Sequence, residues 1–218
     1  MTETYHRADI TLDQQFALKS AAAHLSRDFE GTFGVETIER FLHSSYEQFA
    51  GRAAVANFLP LLAERFARQR LNALARVEGL THDGRPVVLF LCTHNAGRSQ
   101  MAMGLFLHLA GDAAIAWSGG SEPGDEVNPA AIEAMRERGI DISKEFPKPW
   151  TDEVVRAADV VISMGCGDAC PVFPGKRYEE WVLDDPHGKA TEEVRPVRDE
   201  IERRVRTLLQ QLDVPARS

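Results

Sequence analysis

Hydrophobic positions along the chain change their period once. Up to about residue 80 they recur every three or four residues: Leu12, Phe16, Leu25 and Phe29, then Val35, Ile38, Leu42, Tyr46 and Phe49, then Val55, Phe58, Leu59, Leu62, Phe66 and Leu74. This spacing lines apolar side chains along one stripe of a helix and predicts three helices with no strand. Gly31 and Gly34 punctuate the first junction and Gly51 the second. Pro60 either kinks the third helix or lies in its first turn with Asn57 as N-cap. Residues 1–83 are therefore expected to form an all-α three-helix bundle, joined through a linker at Glu78 to Arg85 to a second domain, residues 84–218.

From Pro86 the pattern becomes an alternation of short apolar runs and helical stretches. Strands are predicted at Val87–Leu91, Ala113–Trp117, Asp159–Ser163 and Tyr178–Leu183, and helices at Arg98–Ala110, Pro129–Arg138, Thr151–Ala157 and Glu192–Leu212. Asn128-Pro129 reads as a cap followed by a first-turn proline, and Arg138-Gly139 as a helix end. The alternation implies an α/β domain, a parallel sheet with helices on both faces. Ligands of such sheets gather at the carboxyl ends of the strands, and three chemically suggestive segments fall there.

The first is Cys92-Thr93-His94-Asn95-Ala96-Gly97-Arg98-Ser99, set between a strand and a helix. Five residues suffice to curl the backbone so that successive N–H groups and the helix N-terminus cradle a tetrahedral oxyanion. Arg98 would offer a planar fork of donors, Cys92 a sulfur beneath the central atom, and the same donors favour the thiolate. The second segment is Met164-Gly165-Cys166-Gly167-Asp168-Ala169-Cys170-Pro171, two thiols on a Gly-rich loop. The third is Leu183-Asp184-Asp185-Pro186. Two adjacent carboxylates cannot both point inward, and Asp185 is the more rigidly placed because proline restricts the residue before it.

Composition narrows the chemistry. With 44% hydrophobic and 27% charged residues the chain is an ordinary globular protein, and its net charge of -8 argues against a general nucleic-acid or polyanion binder. Attraction for an anion must then be local. Arg65, Arg68, Arg70 and Arg76 on the third helix are interspersed with Glu64 and apolar residues, which suits a solvated or docking face better than DNA reading. No apolar run approaches membrane-spanning length and no basic segment leads into an apolar one near Met1, so a cytoplasmic protein is expected. Three cysteines, an odd number, point to reactive thiols rather than structural bridges. No metal is expected, because zinc needs about four ligands and only scattered residues such as His94 and His187 are available.

Taken in order, Cys92-Thr-His-Asn-Ala-Gly-Arg-Ser-Gln-Met-Ala102, Gly139-Ile-Asp-Ile-Ser143, Ala158-Asp-Val-Val161, Cys166-Gly-Asp-Ala-Cys170-Pro171 and Asp184-Asp185-Pro186 resemble the thioredoxin-coupled arsenate reductases, which share the low-molecular-weight tyrosine phosphatase fold. The resemblance spans residue 86 to about residue 212 and implies a flavodoxin-like, four-stranded parallel sheet with flanking helices. The helical module lies outside that core and resembles extensions on some actinobacterial members. By resemblance, Cys92 is the nucleophile toward arsenate, Arg98 the oxyanion clamp and Ser99 the support of the thiolate. Thr93, His94, Asn95, Ala96 and Gly97 complete the substrate loop, with Asn95 in left-handed geometry, and Asp185 is the general acid. Cys166 would attack the arseno-cysteine adduct, and Cys170 would then attack Cys166. Electrons would come from protein thiols and be restored by thioredoxin, or through mycothiol and a glutaredoxin-like partner, with no bound cofactor, in a monomer.

Three departures qualify the resemblance. Only three residues separate Cys166 from Cys170, where better-known members have six; His94 and Ala96 replace smaller or cysteine residues; and Met103 and Lys148 fall where relatives place acidic ligands of a potassium site. No potassium site is expected, the Lys148 ammonium serving as a cation mimic. Two other readings stay open: a low-molecular-weight phosphatase using Cys92, Arg98 and Asp185, and an oxyanion-sensing module with the bundle as its output. Cys166 and Cys170 are the features that separate reduction from hydrolysis.

Overall fold

The computed structural model describes residues 10–50, 58–81, 83–165 and 172–217. Two compact units divide the chain, Met1–Thr81 and His82–Ser218.

The first unit holds α1 (Leu12–Asp28), α2 (Val35–Glu47) and α3 (Leu59–Val77), each packed against the other two. A capping box starts α1: Gln14 N donates to Thr11 Oγ1 and Thr11 N to Gln14 Oε1. Pro60 lies in the first turn of α3, where its missing N–H costs nothing, and so does not kink the helix. The proposed cap Asn57, like Val55 and Gly51, lies outside the described residues. The buried face of α1 is Leu18, Ala21 and Leu25, continued by Phe29, whereas Leu12 and Phe16 are exposed. Phe16 is nine residues from Leu25, about half a turn out of phase at roughly 100° per residue, so the expected stripe was two partial stripes. Phe66 packs edge-on to Phe49 at 5.6 Å in the centre. Two of the arginines expected on a solvated face instead tie helices together. Arg68 pairs with Asp28 at 2.7 Å, and Arg70 donates to Ser44 Oγ at 2.6 Å while lying 4.7 Å over the Phe41 ring.

The second unit is the expected α/β domain. Four parallel strands, β1 (Val87–Cys92), β2 (Ile115–Gly120), β3 (Val160–Ser163) and β4 (Arg177–Glu180), lie in the order β2-β1-β3-β4. The expected second strand began two residues early. Gly111–Ala113 form a 3₁₀ turn with Gly111 at φ 55°, and the strand starts only after Ala114. The fourth strand is displaced the other way, with Trp181 adding a bond to Ser163 O before Val182 turns into solvent. Helices α4 (Arg98–Ala110), α5 (Pro129–Arg136), α6 (Asp152–Ala157) and α7 (Thr191–Gln211) complete the domain. Asn128 caps α5 as expected, accepting from Ala130 N, but the helix ends at Arg136 and the chain turns through Gly139 at φ 73°.

β1 is buried along its whole length, as a central parallel strand must be. Alternation sends Val88, Phe90 and Cys92 to one face, where they join α4 residues Met101 and Leu105, α5 residue Met135 and α7 residues Ile201 and Val205 in a single core. Phe90 meets Phe106 edge-on at 5.7 Å. The same alternation that fills this core therefore places the last side chain of β1, the thiol, at its upper edge. Strand order changes direction beside β1, so that edge is also the topological switch point of the sheet.

Candidate active site

The chain leaving β1 at Cys92 makes a closed loop before α4 begins at Arg98. The carbonyl oxygens of Thr93, His94 and Ala96 accept from the N–H groups of Glu122, Gly124 and Asn128 at 2.8–2.9 Å. In a trans peptide the N–H points opposite to the carbonyl, so the amides of His94, Asn95 and Gly97 face the other way, into the hollow of the loop. Among the described residues no acceptor engages the N–H groups of residues 94–98. This is an anion cradle: donors turned inward at a helix N-terminus. Gly120, paired with Cys92 across the sheet, is needed for closure, because a Cβ there would lie 2.6 Å from Thr93 O.

Cys92 is buried and its Sγ lies 3.0 Å from Ser99 Oγ. Asn95 is buried with φ 46°, the left-handed conformation expected for it. Its Nδ2 donates to Ser99 Oγ at 2.8 Å, and its Oδ1 accepts from Lys148 N at 3.0 Å. Since Ser99 Oγ accepts from Asn95, its single proton remains available to the Cys92 sulfur. Arg98, 8% exposed, reaches Asp185 Oδ2 through Nη2 at 3.1 Å. Asp185 Oδ1 accepts from His187 N at 3.0 Å. Asp184 instead lies toward Lys189, so of the two adjacent carboxylates it is Asp185, its side chain half exposed, that reaches Arg98. Cys92, Arg98 and Asp185 line one hollow together with His94, Asn128 and His187.

Thr93 faces the neighbouring strand end, its Oγ1 donating to Gly165 O at 2.9 Å. Gly165 itself lies against the clamp: a Cβ on it would be 2.9 Å from Arg98 Nη1. Cys166 and Cys170, which follow Gly165 in sequence, lie outside the described residues.

Residues 87–217 match the family described as low molecular weight phosphotyrosine protein phosphatase, and residues 18–75 match a protein-tyrosine-phosphatase-like N-terminal domain. The chain belongs to the low molecular weight phosphotyrosine protein phosphatase family. Within it, the chain is 42% identical over 121 residues to arsenate reductase 2 of Staphylococcus epidermidis, covering 54% of this chain and 91% of that protein. It is similar in structure to a thioredoxin-dependent arsenate reductase of Corynebacterium glutamicum, with TM-score 0.81 and 43% identity over 92% of this chain and 98% of that one. A second solved structure, an arsenate reductase in its oxidized state, gives TM-score 0.52 and 36% identity over 58% of this chain and 98% of that one. The family resemblance read from the motifs is thereby borne out.

In some members of this family the resemblance implies a potassium ion near the loop. The residues here do not suit one. Met103 contributes a buried thioether, and the buried Lys148 Nζ already fills the space with its own positive charge, 3.3 Å from Phe146 O, 3.4 Å from Ser118 Oγ and 3.9 Å from Glu145 Oε2. Among the described residues no three His, Cys, Asp or Glu side chains gather as metal ligands, and no helix is long and apolar enough to cross a membrane.

Sequence reasoning assigned no role to two residues that organise the site. Asn128, read only as a helix cap, also donates from Nδ2 to Pro186 O at 2.9 Å and so anchors the segment carrying Asp185. Gln100 is wholly buried beneath the loop. The signal for it was weak: Gln100 follows Arg98 and Ser99 in the polar first turn of α4, and only its burial in the structure demands partners.

Proposed function

We propose that this chain reduces arsenate to arsenite through a thiol–disulfide relay that thioredoxin recycles. One observation carries the reading beyond oxyanion binding: Gly165, which precedes Cys166, bonds to Thr93 and abuts Arg98, so the segment bearing two further thiols begins at the anion loop. The known arsenate reductases among its relatives, and the thioredoxin-dependent one in particular, support the same conclusion.

Arsenate occupies the loop, and its oxygens take the Arg98 fork that Asp185 holds in the free protein. The Cys92 thiolate attacks arsenic, and Asp185 protonates the oxygen that leaves as water. Cys166 then attacks the Cys92 sulfur. The S–As bond breaks, its electron pair stays with arsenic, and arsenite departs, leaving a Cys92–Cys166 disulfide. Cys170 attacks Cys166, releasing Cys92 as thiolate and forming Cys166–Cys170, which the thioredoxin dithiol reduces. Two thiols lose the two electrons that arsenic gains, so the cycle balances without a bound cofactor. The chemistry belongs in the reducing cytoplasm. Lys148 Nζ stands in for a monovalent cation behind the loop, and activity that rose with potassium but not with sodium would refute that role.

The test is arsenate turnover with thioredoxin and thioredoxin reductase, compared with mycothiol and a glutaredoxin-like partner, with mass mapping of disulfides after one turnover. Cys92→Ser removes all activity, and Cys170→Ser allows one turnover but no recycling by thioredoxin. Full steady-state turnover by Cys170→Ser would overturn the relay, a thiol adduct on Cys92 would select the mycothiol route, and phosphate-ester hydrolysis without arsenate reduction would select the phosphatase reading.

A further inference from the structure

We propose that Gln100 is a positioning residue for the nucleophile: its carboxamide holds Asn95 in the left-handed conformation and thereby aims the Ser99 proton at Cys92 Sγ. The inference rests on Cys92 acting as a nucleophile, and the experiment below reads Cys92 without arsenate turnover.

A left-handed backbone is unfavourable for a residue with a Cβ and persists only where neighbours over-determine it. At Asn95 much of that determination comes from Gln100. Its Nε2 lies 3.0 Å from Asn95 O, 3.2 Å from Asn95 Oδ1 and 3.1 Å from Phe146 O. All three are acceptors, so the orientation of the carboxamide follows from chemistry: turned about, its oxygen would face three oxygens. The orientation carries a penalty, since Gln100 Oε1 is buried and has no hydrogen-bond partner among the described residues. The fold retains an unsatisfied acceptor in order to place two N–H donors against Asn95 and the segment before Lys148.

The consequences run in one direction. Asn95 Oδ1, occupied by Gln100 Nε2 and Lys148 N, forces Nδ2 toward Ser99 Oγ at 2.8 Å. Ser99 Oγ therefore accepts from Asn95, which leaves its one proton free to be donated to a thiolate at Cys92 Sγ, 3.0 Å away. Each donor in the series Gln100, Asn95, Ser99 fixes the next, and the series ends on the sulfur. Without Gln100, Asn95 Oδ1 keeps only Lys148 N, and the Asn95 main-chain oxygen loses the donor that Gln100 gives it.

The test is the rate of alkylation of Cys92 by iodoacetamide at pH 7, followed by mass spectrometry of the Cys92 peptide so that Cys166 and Cys170 do not contribute. Gln100→Met keeps the side-chain length and removes both the donors and the orphaned acceptor. It is expected to slow Cys92 alkylation about ten-fold, the loss of one hydrogen bond to a charged sulfur, while the melting midpoint stays within a few degrees. Gln100→Asn, which keeps the amide but withdraws it by one methylene, is expected to do the same and serves if the methionine variant fails to fold. In an Asn95→Gly background, where glycine needs no support and has no amide to orient, Gln100→Met should change the rate less than about two-fold. Folded Gln100 variants with wild-type alkylation rates, or an undiminished effect in the Asn95→Gly background, would overturn the proposal.

Discussion

Gly97 offers a direct measurement of how tightly the anion loop and the Asp185-Pro186 segment must fit. A Cβ at this position would lie 2.6 Å from Pro186 Cγ and 3.7 and 3.8 Å from two other atoms of the same ring. Carbon atoms in comfortable contact are about 3.5–4.0 Å apart, so Gly97→Ala leaves the two segments about 1 Å too close. The loop side has little freedom. Gly97 O accepts from Met101 N in the first turn of α4, and Ala96 O is held by Asn128 N. The strain therefore falls on Pro186, and with it on Asp185, which is bonded to it. Retreat by about 1 Å takes Asp185 Oδ2, now 3.1 Å from Arg98 Nη2, beyond hydrogen-bond reach. A displacement of that size at the group proposed as proton donor costs about 100-fold in rate, or about 2.7 kcal/mol of barrier. The inward N–H groups are untouched, so the expected signature is kcat down about 100-fold with KM changed by less than about three-fold. Steady-state arsenate reduction coupled to thioredoxin and NADPH consumption measures both, and protection of Cys92 from alkylation by phosphate measures anion binding separately. A folded Gly97→Ala protein with kcat within about three-fold of the parent would refute the close-contact argument.

Two further predictions concern the scaffold. Arg195 and Arg198 donate to Glu137 and hold its carboxyl at about 2, below its ordinary 4.5. A carboxyl depressed in the folded state stabilises fully above its unfolded value and loses that contribution as pH falls toward the folded one. Glu137→Gln should lower the melting midpoint at pH 7, and the gap from the parent should narrow below pH 4.5 and close near pH 2; a gap that stayed constant across that range would contradict the pairing. In the first unit, Phe66 is fully buried against Phe49 and beneath the Arg70 guanidinium. Phe66→Ala should cost about 3–5 kcal/mol in urea unfolding followed by helical circular dichroism, and a loss under about 1 kcal/mol would show that the three helices do not share this core.

How much of this molecule can be read from its sequence depends on how local each feature is. The anion loop is legible because its residues are consecutive and a strand, five residues and a helix leave the backbone few ways to turn; Asn95 takes the left-handed conformation that the family resemblance implied, and Asp185 rather than Asp184 reaches Arg98. Periodicity located the sheet and the seven α-helices of the described residues, yet erred at ends and phases. On α1 it merged Leu12 and Phe16 with a buried face they do not share, because a pattern of apolar residues does not say which stripe finds a partner. The second strand starts late for a similar reason, since Ala113 has the composition of a strand but follows a glycine whose positive φ turns the chain first.

What escaped the sequence was joined by folding alone. Asn128 reaches Pro186 across 58 residues, Gln100 reaches Phe146 across 46, and Thr93 reaches Gly165 across 72. The sequence by itself determined the strand–loop–helix that carries Cys92 and Arg98, the order of elements and a chemical repertoire of three thiols, one loop arginine and a pair of carboxylates, all properties of neighbouring residues. Only the tertiary structure decided which buried amides hold that loop in shape and which segments lean on it. Those hydrogen bonds depend on packing that no short stretch encodes.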